Sequence, residues 1–552
     1  MAHRAPSAAL ATHAVTNQPP DFAPRDLWRT DPALGEAVRR EGGGWAEEAL
    51  AALGVEAGSE RVMELGDLAN RNPPVLRAFD RSGHRLDEVE FHPAYHALME
   101  LAFRHCIHAL PWTAGRRGGY VAHAAMGYLL TQAEAGVLCP VAMTCASVPT
   151  LRRQPDLAAA WLPRILSDRY DPRFIPAGEK TGATIGMAMT EKQGGSDVRA
   201  NATRAEPCGA GGEHALTGHK WFCSAPMSDA FLTLARTGHG LSCFLVPRWR
   251  PDGTRNPFLI QRLKDKLGNR SNASAEIEYD GTWAVLVGEE GGGIAAIMDM
   301  VHHTRLDCGF AAAGLMRVAV ARALHHAAHR RAFGRPLAGQ PLMRQVLADL
   351  ALESEAAMAL VLRVARAFDD GDADPQARAF ARLAVAIAKY WVTKRCPALV
   401  GEALECHGGN GYVEDGGMPR LYREAPLNAI WEGSGNVIAL DALRTLRKEP
   451  AALAALEAEL AAARGLDGRL DAWVARTRAL LGDPDRLEAQ ARRLVERLAL
   501  ALQAGLLLRH APPAVAAAFC ASRLGGDWGL AFGTLPPEVD HDAILARAAG
   551  AG

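Results

Sequence analysis

A single acidic side chain stands in a stretch of the sequence where a ligand could approach closely. Glu432 follows the aromatic Trp431 and precedes Gly433-Ser434-Gly435, three small residues that leave room beside it. A carboxylate in apolar surroundings has its charged form disfavoured, so its pKa rises toward the range in which it can act as a general base. The same run is also typical of an exposed turn. Glu432 is therefore a candidate base whose role depends on the other motifs of the chain.

The loop Met189–Val198 offers several groups to a ligand. Its paired glycines, Gly194 and Gly195, let backbone N–H groups approach closely, and Thr190 and Ser196 supply hydroxyls. Such a loop can hold the atoms of a flavin ring or a pyrophosphate. An ordinary loop that leads into a strand is the alternative interpretation.

Two further stretches carry a ring and a pair of arginines. In Gly218–Ser224 the indole of Trp221 can pack against a flat heteroaromatic ligand, although a core tryptophan on a strand has the same pattern. The stretch Arg330–Leu337 ends a long helix, and an arginine there can pair with a phosphate. Basic residues and a capping Gly334 are equally typical of a plain helix C-terminus.

The stretch Glu405–Tyr412 places three glycines, Gly408, Gly409 and Gly411, in four positions after a helix end. A helix cap explains one of them. The others favour a backbone that lies against a ligand such as a dinucleotide.

Composition narrows the class of protein. The 552 residues carry a formal net charge of −1, and 49% of them are hydrophobic. This length predicts about two to four structural units. No bulk field draws the molecule to nucleic acid or to an anionic membrane, so any such contact needs a local patch. The ten cysteines form no CxxC pair, which argues against a metal site and a disulfide framework and favours reduced thiols.

The apolar runs of the chain are short. The longest nearly unbroken one, Leu498–Leu508, cannot cross a bilayer of ~30 Å as a helix. The first residues lack the apolar core of a secretory signal. We therefore expect no membrane span and a cytoplasmic location.

The hydrophobic periodicity changes along the chain. After an irregular, Pro-rich arm of about 30 residues, the spacing predicts helices to about residue 166, strands between about 186 and 288, and then long Ala-rich helices. A further helical segment follows Pro450. We divide the chain into an N-terminal arm and helical domain (1–185), a β domain (186–292), a helical bundle domain (293–447) and a C-terminal helical extension (448–552).

Individual elements have clear patterns. The strand patterns lie at Phe231–Ala235, Leu241–Val246, Ala275–Tyr279 and Trp283–Val287, and the helix patterns lie at Ala94–Ala109, Tyr120–Leu138, Leu306–Ala328 and Leu342–Phe368.

In this order, the five motifs resemble those of the acyl-CoA dehydrogenase family. The loop is similar to that family's Thr-Glu-x-x-x-Gly-Ser-Asp, the strand to its Lys-x-Trp-Ile-Thr and the helix end to its Arg-x-x-Phe-Gly. The glycine-rich stretch resembles Gly-Gly-x-Gly-Tyr, and the run around Glu432 resembles Ile-Tyr-Glu-Gly-Thr. The resemblance spans about residues 95 to 445.

One branch of the family is more similar still, namely the AidB-like flavoproteins of the bacterial adaptive response to alkylation. The loop Met189–Val198, the run Ile430–Asn436 and the stretch Arg262–Ser274 resemble this branch. Asn70–Pro74 and Phe91–Pro93 agree too. So does the segment after residue 450, which short acyl-CoA dehydrogenases lack, and the resemblance then covers nearly the whole chain.

The resemblance implies an α+β, mainly α fold with an N-terminal helical domain, a central β-barrel domain, and a C-terminal helical bundle plus an extra helical segment. It implies FAD as the cofactor and a homotetramer. It also implies that Glu432 removes the α-proton of an acyl-CoA while hydride leaves for the flavin. By position, the cofactor-binding residues would be Met187, Ala188, Met189, Thr190, Gly194, Gly195, Ser196, Trp221, Phe222, Cys223, Arg330, Phe333, Gln340, Gly408, Gly409, Ile430, Trp431, Gly433, Ser434 and Asn436.

The sequence departs from the family pattern at three of these positions. Trp431 replaces the usual tyrosine, and Cys223 stands where a threonine is common. The glutamine that follows the arginine motif is Gln340, one residue early. These changes should leave flavin binding intact, whereas a bulkier Trp431 beside the base could narrow the substrate channel.

The AidB-like branch is also associated with binding and protecting double-stranded DNA through its C-terminal segment. Residues 449–552 contain 11 arginines, no lysine and 13 acidic residues, so the segment is not net basic. Phosphate binding needs a local stripe, not a basic domain. A solvated helical face with pairs such as Arg492–Glu496 is the alternative. The candidate DNA-binding residues are Arg478, Arg486, Arg492, Arg493 and Arg497.

Two functions are consistent with these patterns. The first is an AidB-like flavoprotein that binds DNA, protects it from alkylation damage and has at most weak acyl-CoA dehydrogenase activity. The second is a metabolic acyl-CoA dehydrogenase whose C-terminal extension serves oligomerisation. The stretch Arg262–Ser274 and the N-terminal matches favour the first.

Overall fold

The computed structural model of the protein describes residues 6–209, 211–482, 484–527 and 529–550. Helices come first, a β-barrel-like sheet follows and further helices end the chain, so the predicted α+β, mainly α fold is confirmed. Over residues 6–31 the chain forms the predicted irregular arm, in which an isolated bridge joins Ala9 and Ala14. The boundaries drawn between the four units stay a prediction.

Helices build most of the N-terminal region. Asp31 caps the first of them, because its side chain accepts the Leu34 N–H and Pro32 stands at the first helical position. The helices are α1 (Pro32–Arg40), α2 (Glu47–Ala57), α3 (Glu60–Arg71), α4 (Pro93–Arg104), α5 (Leu110–Thr113), α6 (Gly119–Thr131), α7 (Leu138–Leu151) and α8 (Pro155–Ile165). α6 and α7 are apolar on every side and lie buried.

A hairpin interrupts this helical region, and the periodicity did not predict it. β1 (Val75–Phe79) pairs antiparallel with β2 (Arg85–Glu90). Its five residues alternate between exposed and half-buried positions. A strand this short, with an exposed face that is itself partly apolar, gives little of the alternation on which a strand prediction depends.

Two predicted helices are shorter than their patterns. The pattern at Ala94–Ala109 ends as a helix at Arg104, and Cys106 follows with a positive φ of 52°. The pattern at Tyr120–Leu138 divides into α6 and α7. The buried carboxylate of Glu134 makes that break, because it accepts the Val137 N–H at 2.8 Å.

One seven-stranded sheet forms the β domain, and it closes on itself. Strands β6, β4, β5, β9 and β7 pair in that order, and β7 pairs again with β6. β3 lies parallel to β6, and β8 lies antiparallel to β9. The strands are β3 (Ile185–Ala188), β4 (Arg204–Pro207), β5 (Glu213–Ser224), β6 (Ala230–Thr237), β7 (Gly240–Pro247), β8 (Phe258–Leu263) and β9 (Ser274–Val287).

The four predicted strand patterns of this domain are confirmed. Two of them, at Ala275–Tyr279 and Trp283–Val287, form the single strand β9. The register of β9 against β5 shifts where Gly281 lies, and a positive φ of 66° there allows the strand to bulge and continue.

Long helices form the bundle, and the helix patterns at Leu306–Ala328 and Leu342–Phe368 lie inside two of them. A two-residue ladder, β10 (Arg331–Ala332) with β11 (Arg335–Pro336), makes the turn after the first helix. The helices are α9 (Gly293–His329), α10 (Pro341–Asp370), α11 (Pro375–Glu405), α12 (Met418–Glu424) and α13 (Gly435–Lys448).

The C-terminal extension is helical, as predicted, and α17 packs against α10, α11 and α13 of the bundle. Its helices are α14 (Pro450–Ala461), α15 (Gly468–Leu481), α16 (Pro484–Leu487), α17 (Ala491–His510), α18 (Pro513–Phe519) and α19 (His541–Ala549), with a π-helical turn at Cys520–Leu524. Among the helices that the structure describes, none combines the length and apolarity needed to cross a membrane.

A buried ion cluster attaches the extension to the bundle. The guanidinium of Arg523, in the π-helical turn, lies 2.5 Å from Asp349 and 3.0 Å from Glu353, both on α10. Arg395 of α11 contacts Glu353 at 3.2 Å. Removing one member of such a cluster leaves the others as charges out of water.

We expect Arg523→Met to lower the free energy of unfolding by roughly 3–5 kcal/mol, because Asp349 stays buried without its cation. Thermal and urea unfolding measure the change. Arg344→Met is the control, since Arg344 pairs with the exposed Asp542 and should lose about 0–1 kcal/mol. Equal losses in the two variants would contradict the assignment.

Candidate active site

Glu432 lies in a short loop with an unusual backbone. The loop joins a 3-10 turn at Leu427–Ala429 to the start of α13. Glu432 has a φ of 58° and Gly433 a φ of 105°. A side chain other than glycine costs about 1–3 kcal/mol in such a conformation, and such residues concentrate at functional sites. The surrounding contacts must therefore hold Glu432 in place.

The carboxylate of Glu432 faces helix α9. Thr304 donates its hydroxyl to Oε2 of Glu432 at 2.8 Å. Burial raises the pKa of Glu432, while the bond from Thr304 and the cations of Lys389 and Arg305 oppose the rise. A carboxyl with a raised pKa at a fixed position is what a general base requires.

Two buried cations hold the backbone beside Glu432. Lys389 of α11 donates to the carbonyl of Trp431 at 2.9 Å and also to the carbonyl of Gly433. Arg305 of α9 donates to the carbonyl of Glu432 at 3.2 Å. The guanidinium of Arg305 also pairs with Asp441 of α13, at 2.7 Å.

Four residues of this site were not predicted from the sequence, namely Thr304, Arg305, Lys389 and Asp441. Two of them carry a usable signal, because Arg305 and Lys389 are charged residues inside long apolar helices. A charge at such a position predicts a buried partner. The sequence does not tell which partner, since the carbonyls that Lys389 contacts belong to a loop more than 40 residues away.

The loop after β3 is held by a buried ion pair. Glu191 and Lys220 have fully buried side chains and meet at 2.8 Å. Glu191 also accepts the backbone N–H groups of Ala202 and Thr203. Burial alone would raise the pKa of Glu191, but Lys220 and these donors hold it at about 2. The ionised pair fixes the loop against strand β5.

Strand β5 presents its aromatic tip beside this loop. The backbone N–H of Trp221 donates to the carbonyl of Thr190 at 2.7 Å. Lys264 places its ammonium 3.3 Å from the centroid of the Trp221 ring, and Phe222 is half exposed. The Cys223 side chain points the other way, into the core of the barrel.

The predicted residues of the loop and of the Glu432 run meet at one interface. Met187, Met189 and Trp431 pack against the same apolar core between α7, α9 and the barrel. Ala188 is buried, Thr190 is half-buried, and the remaining members reach the surface. Those surface residues are Gly194, Gly195, Ser196, Ile430, Ser434 and Asn436. We call this group, with Trp221 and Glu432, the base cluster.

The other predicted residues gather at the far end of α9. Arg330 follows the last residue of that helix, Phe333 is 94% exposed, and Gln340 donates to the carbonyl of Ala332 at 3.0 Å. The rings of His326 and His407 lie 4.7 Å apart, which brings Gly408 and Gly409 to the same end. We call Arg330, Phe333, Gln340, Gly408 and Gly409 the arginine cluster.

The N-terminal arm reaches the arginine cluster. The side chain of Asn17 accepts the Arg331 N–H at 2.7 Å and donates to the Arg331 carbonyl at 2.9 Å. Arg330 donates to the Asn17 carbonyl at 2.6 Å. Asn17 itself has a φ of 60°. The arm thus fixes the backbone on which Arg330 and Phe333 stand.

The two clusters are far apart within one chain. Thr304, which contacts Glu432, and Arg330 lie on and just beyond the same helix, separated by 26 positions. At 1.5 Å per residue this is about 39 Å. A single copy therefore brings the predicted cofactor residues into two groups and not into one.

The predicted DNA-binding arginines lie on the C-terminal helices. Arg492 donates to the Tyr390 hydroxyl at 3.0 Å, and Arg478 pairs with Glu457 at 3.2 Å. Arg497 stacks over the Trp473 ring at 4.1 Å. Arg486 and Arg493 are exposed on α16 and α17. None of these contacts tests whether the arginines bind DNA.

Three known protein-family domains match successive parts of the chain. The family described as Adaptive response protein AidB N-terminal domain matches residues 17–172. The acyl-CoA dehydrogenase middle domain matches residues 186–282, and the acyl-CoA dehydrogenase C-terminal domain matches residues 291–446.

Relatives and solved structures agree with these matches. The AidB protein of Escherichia coli (strain K12) is 45% identical over 541 residues, which cover 98% of this chain and 99% of that protein. The crystal structure of Caenorhabditis elegans ACDH-11 in complex with C11-CoA has a TM-score of 0.84 at 26% identity, over 99% of this chain and 95% of that chain. The structure named Bd2924 apo-form has a TM-score of 0.81 at 30% identity, over 88% of this chain and 98% of that chain. The chain belongs to the acyl-CoA dehydrogenase family, as an AidB-like, FAD-dependent oxidoreductase.

Proposed function

We propose that this chain oxidises acyl-CoA thioesters with Glu432 as the general base, at a limited rate, and that it also binds double-stranded DNA and protects it from alkylation. The geometry of Glu432 carries the first part. Its carboxylate is held by Thr304 at 2.8 Å on a left-handed backbone, at the interface of helices and barrel where the loop of Thr190 also lies.

The residues present fit an FAD. Among the described residues, and apart from each glycine's two chain neighbours, no heavy atom lies within 4 Å of the position a Cβ would take at Gly194, Gly408 or Gly409, so a flat ligand can approach these backbones. Phe222 and Phe333 leave 50% and 94% of their surface open, and a ring ligand would cover it. We propose that the base cluster holds the flavin end of FAD and that the arginine cluster holds its phosphates.

A second copy of the chain would complete this site. The separation of about 39 Å between the two clusters follows from helix geometry and prevents one chain from supplying both to the same FAD. A partner whose α9 runs in the opposite direction would place its arginine cluster at the base cluster of the first copy. This supports a symmetric oligomer, in which every copy gives and receives, and the predicted homotetramer is one such assembly.

The chemistry divides between the cofactor and Glu432. FAD, when bound, supplies the acceptor for a hydride. Glu432 takes the proton from the carbon next to the thioester carbonyl, and its raised pKa suits that task at neutral pH. The acyl-CoA class is supported by ACDH-11, which was solved with C11-CoA. The chain's own residues thus orient the substrate and hold the proton.

Trp431 supports a limited rate. Its indole packs against the apolar core beside α7, and its N–H donates to the Asn428 side chain at 2.9 Å. This bond holds a bulky ring beside Glu432, where the acyl chain would have to pass. We propose that short or flat acyl groups are accepted and long ones excluded.

A local positive patch supports DNA binding. Burial, together with the nearby guanidiniums of Arg476 and Arg493, lowers the pKa of Arg497, so these three residues lie close to one another. Arg497 of α17 and Arg476 of α15 lie over the Trp473 ring, at 4.1 and 6.0 Å. A stripe of this kind neutralises phosphates even on a segment that is not net basic.

We expect Glu432→Gln to lower the rate of flavin reduction by acyl-CoA about 10²–10⁴-fold while FAD stays bound, because the base is lost. In the wild type the rate should fall as the pH drops through the raised pKa of Glu432, since the protonated carboxyl cannot accept the proton. A series of acyl-CoAs of increasing chain length is the substrate. Glu424→Gln is the control, because Glu424 is buried with a raised pKa but contacts Asn269. Equal rates in Glu432→Gln and wild type would exclude the role of Glu432.

We expect Lys220→Met to weaken FAD binding about tenfold, because Glu191 loses its cation and the loop that carries Thr190 loosens from β5. Titration of the apoprotein with FAD, followed by flavin fluorescence, measures the change. Lys180→Met is the matched control, since Lys180 also forms a buried pair, with Asp229 at 2.7 Å, but does not contact the loop. If both variants bind FAD as tightly as the wild type, the loop does not depend on this pair.

We expect binding to duplex DNA to fall with salt, and Arg492→Ala with Arg493→Ala to reduce the slope of log K against log salt by up to about 1.8, at about 0.9 per lost phosphate contact. Arg469→Ala is the control, because Arg469 is engaged by Asp467 at 2.7 Å. The bound duplex should also resist a methylating agent. Rapid acyl-CoA turnover without salt-dependent DNA binding would instead support a metabolic acyl-CoA dehydrogenase whose extension serves oligomerisation.

A further inference from the structure

Three successive backbone carbonyls turn toward two cations beneath Glu432. Lys389, which is 1% exposed, donates to the carbonyls of Trp431 and Gly433, and Arg305 donates to that of Glu432. The carbonyls on both sides of the base thus share one ammonium. Few side chains can join two carbonyls in this way, because the donor must carry at least two hydrogens on one nitrogen.

The two cations differ in how their charge is balanced. Arg305 pairs with Asp441, which also accepts from Arg382 at 3.0 Å. For Lys389 the described residues provide no carboxylate within ion-pair distance. Burial accordingly lowers the pKa of Lys389, although Cys308 and Glu432 oppose that shift. A buried ammonium that costs desolvation free energy without a carboxylate partner must be explained by the carbonyls it contacts.

The contacts of Lys389 depend on the left-handed backbone at Glu432. With a φ of 58° at Glu432 and 105° at Gly433, the flanking carbonyls converge on α11. A right-handed conformation at Glu432 would turn one of them away from Lys389 and would move the carboxylate from the Thr304 hydroxyl. The hydrogen bonds from Lys389 therefore offset the cost of about 1–3 kcal/mol that the left-handed conformation carries.

We propose that Lys389 is a positioning residue for Glu432: by binding the carbonyls on either side, it selects the backbone conformation that presents the carboxylate to the substrate. The role of the carboxylate itself rests on the function proposed above. Lys389 is buried and its ammonium contacts backbone carbonyls, so in this role it acts through the backbone of the base.

The charged and titratable groups around this position come from four elements. Helix α7 contributes Cys139, α11 contributes Lys389 and Lys394, α13 contributes Asp441 through Arg305, and α9 contributes Arg305, Asp307 and Cys308. Among them Lys389 and Arg305 favour the ionised carboxylate, and Asp307 opposes it. Loss of the Lys389 ammonium should therefore move the pKa of Glu432 upward.

Crystal structures of wild type, Lys389→Met and Lys389→Arg test the positioning directly and need no turnover. In Lys389→Met we expect Glu432 to leave the left-handed region and to lose the hydrogen bond from Thr304. In Lys389→Arg, which keeps two donors, we expect both features to remain. A Lys389→Met structure that retains the φ of Glu432 and the Thr304 bond would overturn the proposal.

Kinetics of the FAD-loaded protein give a second readout. For Lys389→Met we expect kcat with an acyl-CoA to fall about 10–100-fold with little change in KM, and the acid limb of the pH profile to shift upward. Lys389→Arg should recover part of kcat. Lys180→Met controls for loss of a buried lysine and should change stability but not the pH profile.

The positioning role of Lys389 and the proposed function can be disproved separately. If wild-type protein turns over no acyl-CoA, the proposed function fails, and the crystal structures still decide whether Lys389 positions Glu432. If wild type is active and Lys389→Met has an unchanged pH profile and kcat, the positioning role is wrong while the proposed function stands. A fold collapse of Lys389→Met is recognised by comparing its thermal midpoint with that of Lys180→Met, and Lys389→Arg then decides.

Discussion

Helix α9 sets the distances on which the rest of the molecule depends. Its 37 residues run unbroken from the barrel to the end of the bundle, and a helix of that length behaves as a rod of about 55 Å. Glu432, the proposed base, contacts the rod at Thr304, in its first third, and the phosphate-binding candidates lie at its C-terminal end. In the assembly that we propose, the geometry of a complete cofactor site is a property of how copies associate, and the helix supplies the spacing.

Buried cations connect segments of the chain that are distant in sequence. Lys220 ties a loop to a barrel strand through Glu191, Arg523 ties the C-terminal extension to α10, and Lys389 and Arg305 tie the Glu432 loop to two helices. Each contact joins residues distant in sequence, and each is costly when half is missing. The functional loops therefore gain a defined conformation from a few polar contacts within apolar surroundings, and little of it comes from their own sequence.

Long regular elements and loops with a recognisable motif could be predicted from the sequence. Features that depend on tertiary contacts could not. The long helices α9 and α10 and the strands of the barrel have strong periodicity and lie where expected. The hairpin at Val75–Glu90 was too short to stand out. For the site, glycines and aromatic residues identified the loops, but Lys389 could not be assigned, because its partners are backbone carbonyls that every residue has. The separation of the two clusters needed the unbroken length of α9, which periodicity alone does not establish.

The contact between Asn17 and Arg331 has a consequence for the order of events during synthesis. The two residues are 314 positions apart. The side chain of Asn17 bonds both the N–H and the carbonyl of Arg331, as a neighbouring strand would. At about 5–20 residues per second, the ribosome needs roughly 16–63 s to make the intervening chain. During that time the side chain of Asn17 lacks its partner at Arg331. Docking of Asn17 can therefore report that α9 is complete, and an Asn17 segment still accessible to protease would mark chains in which that helix is incomplete.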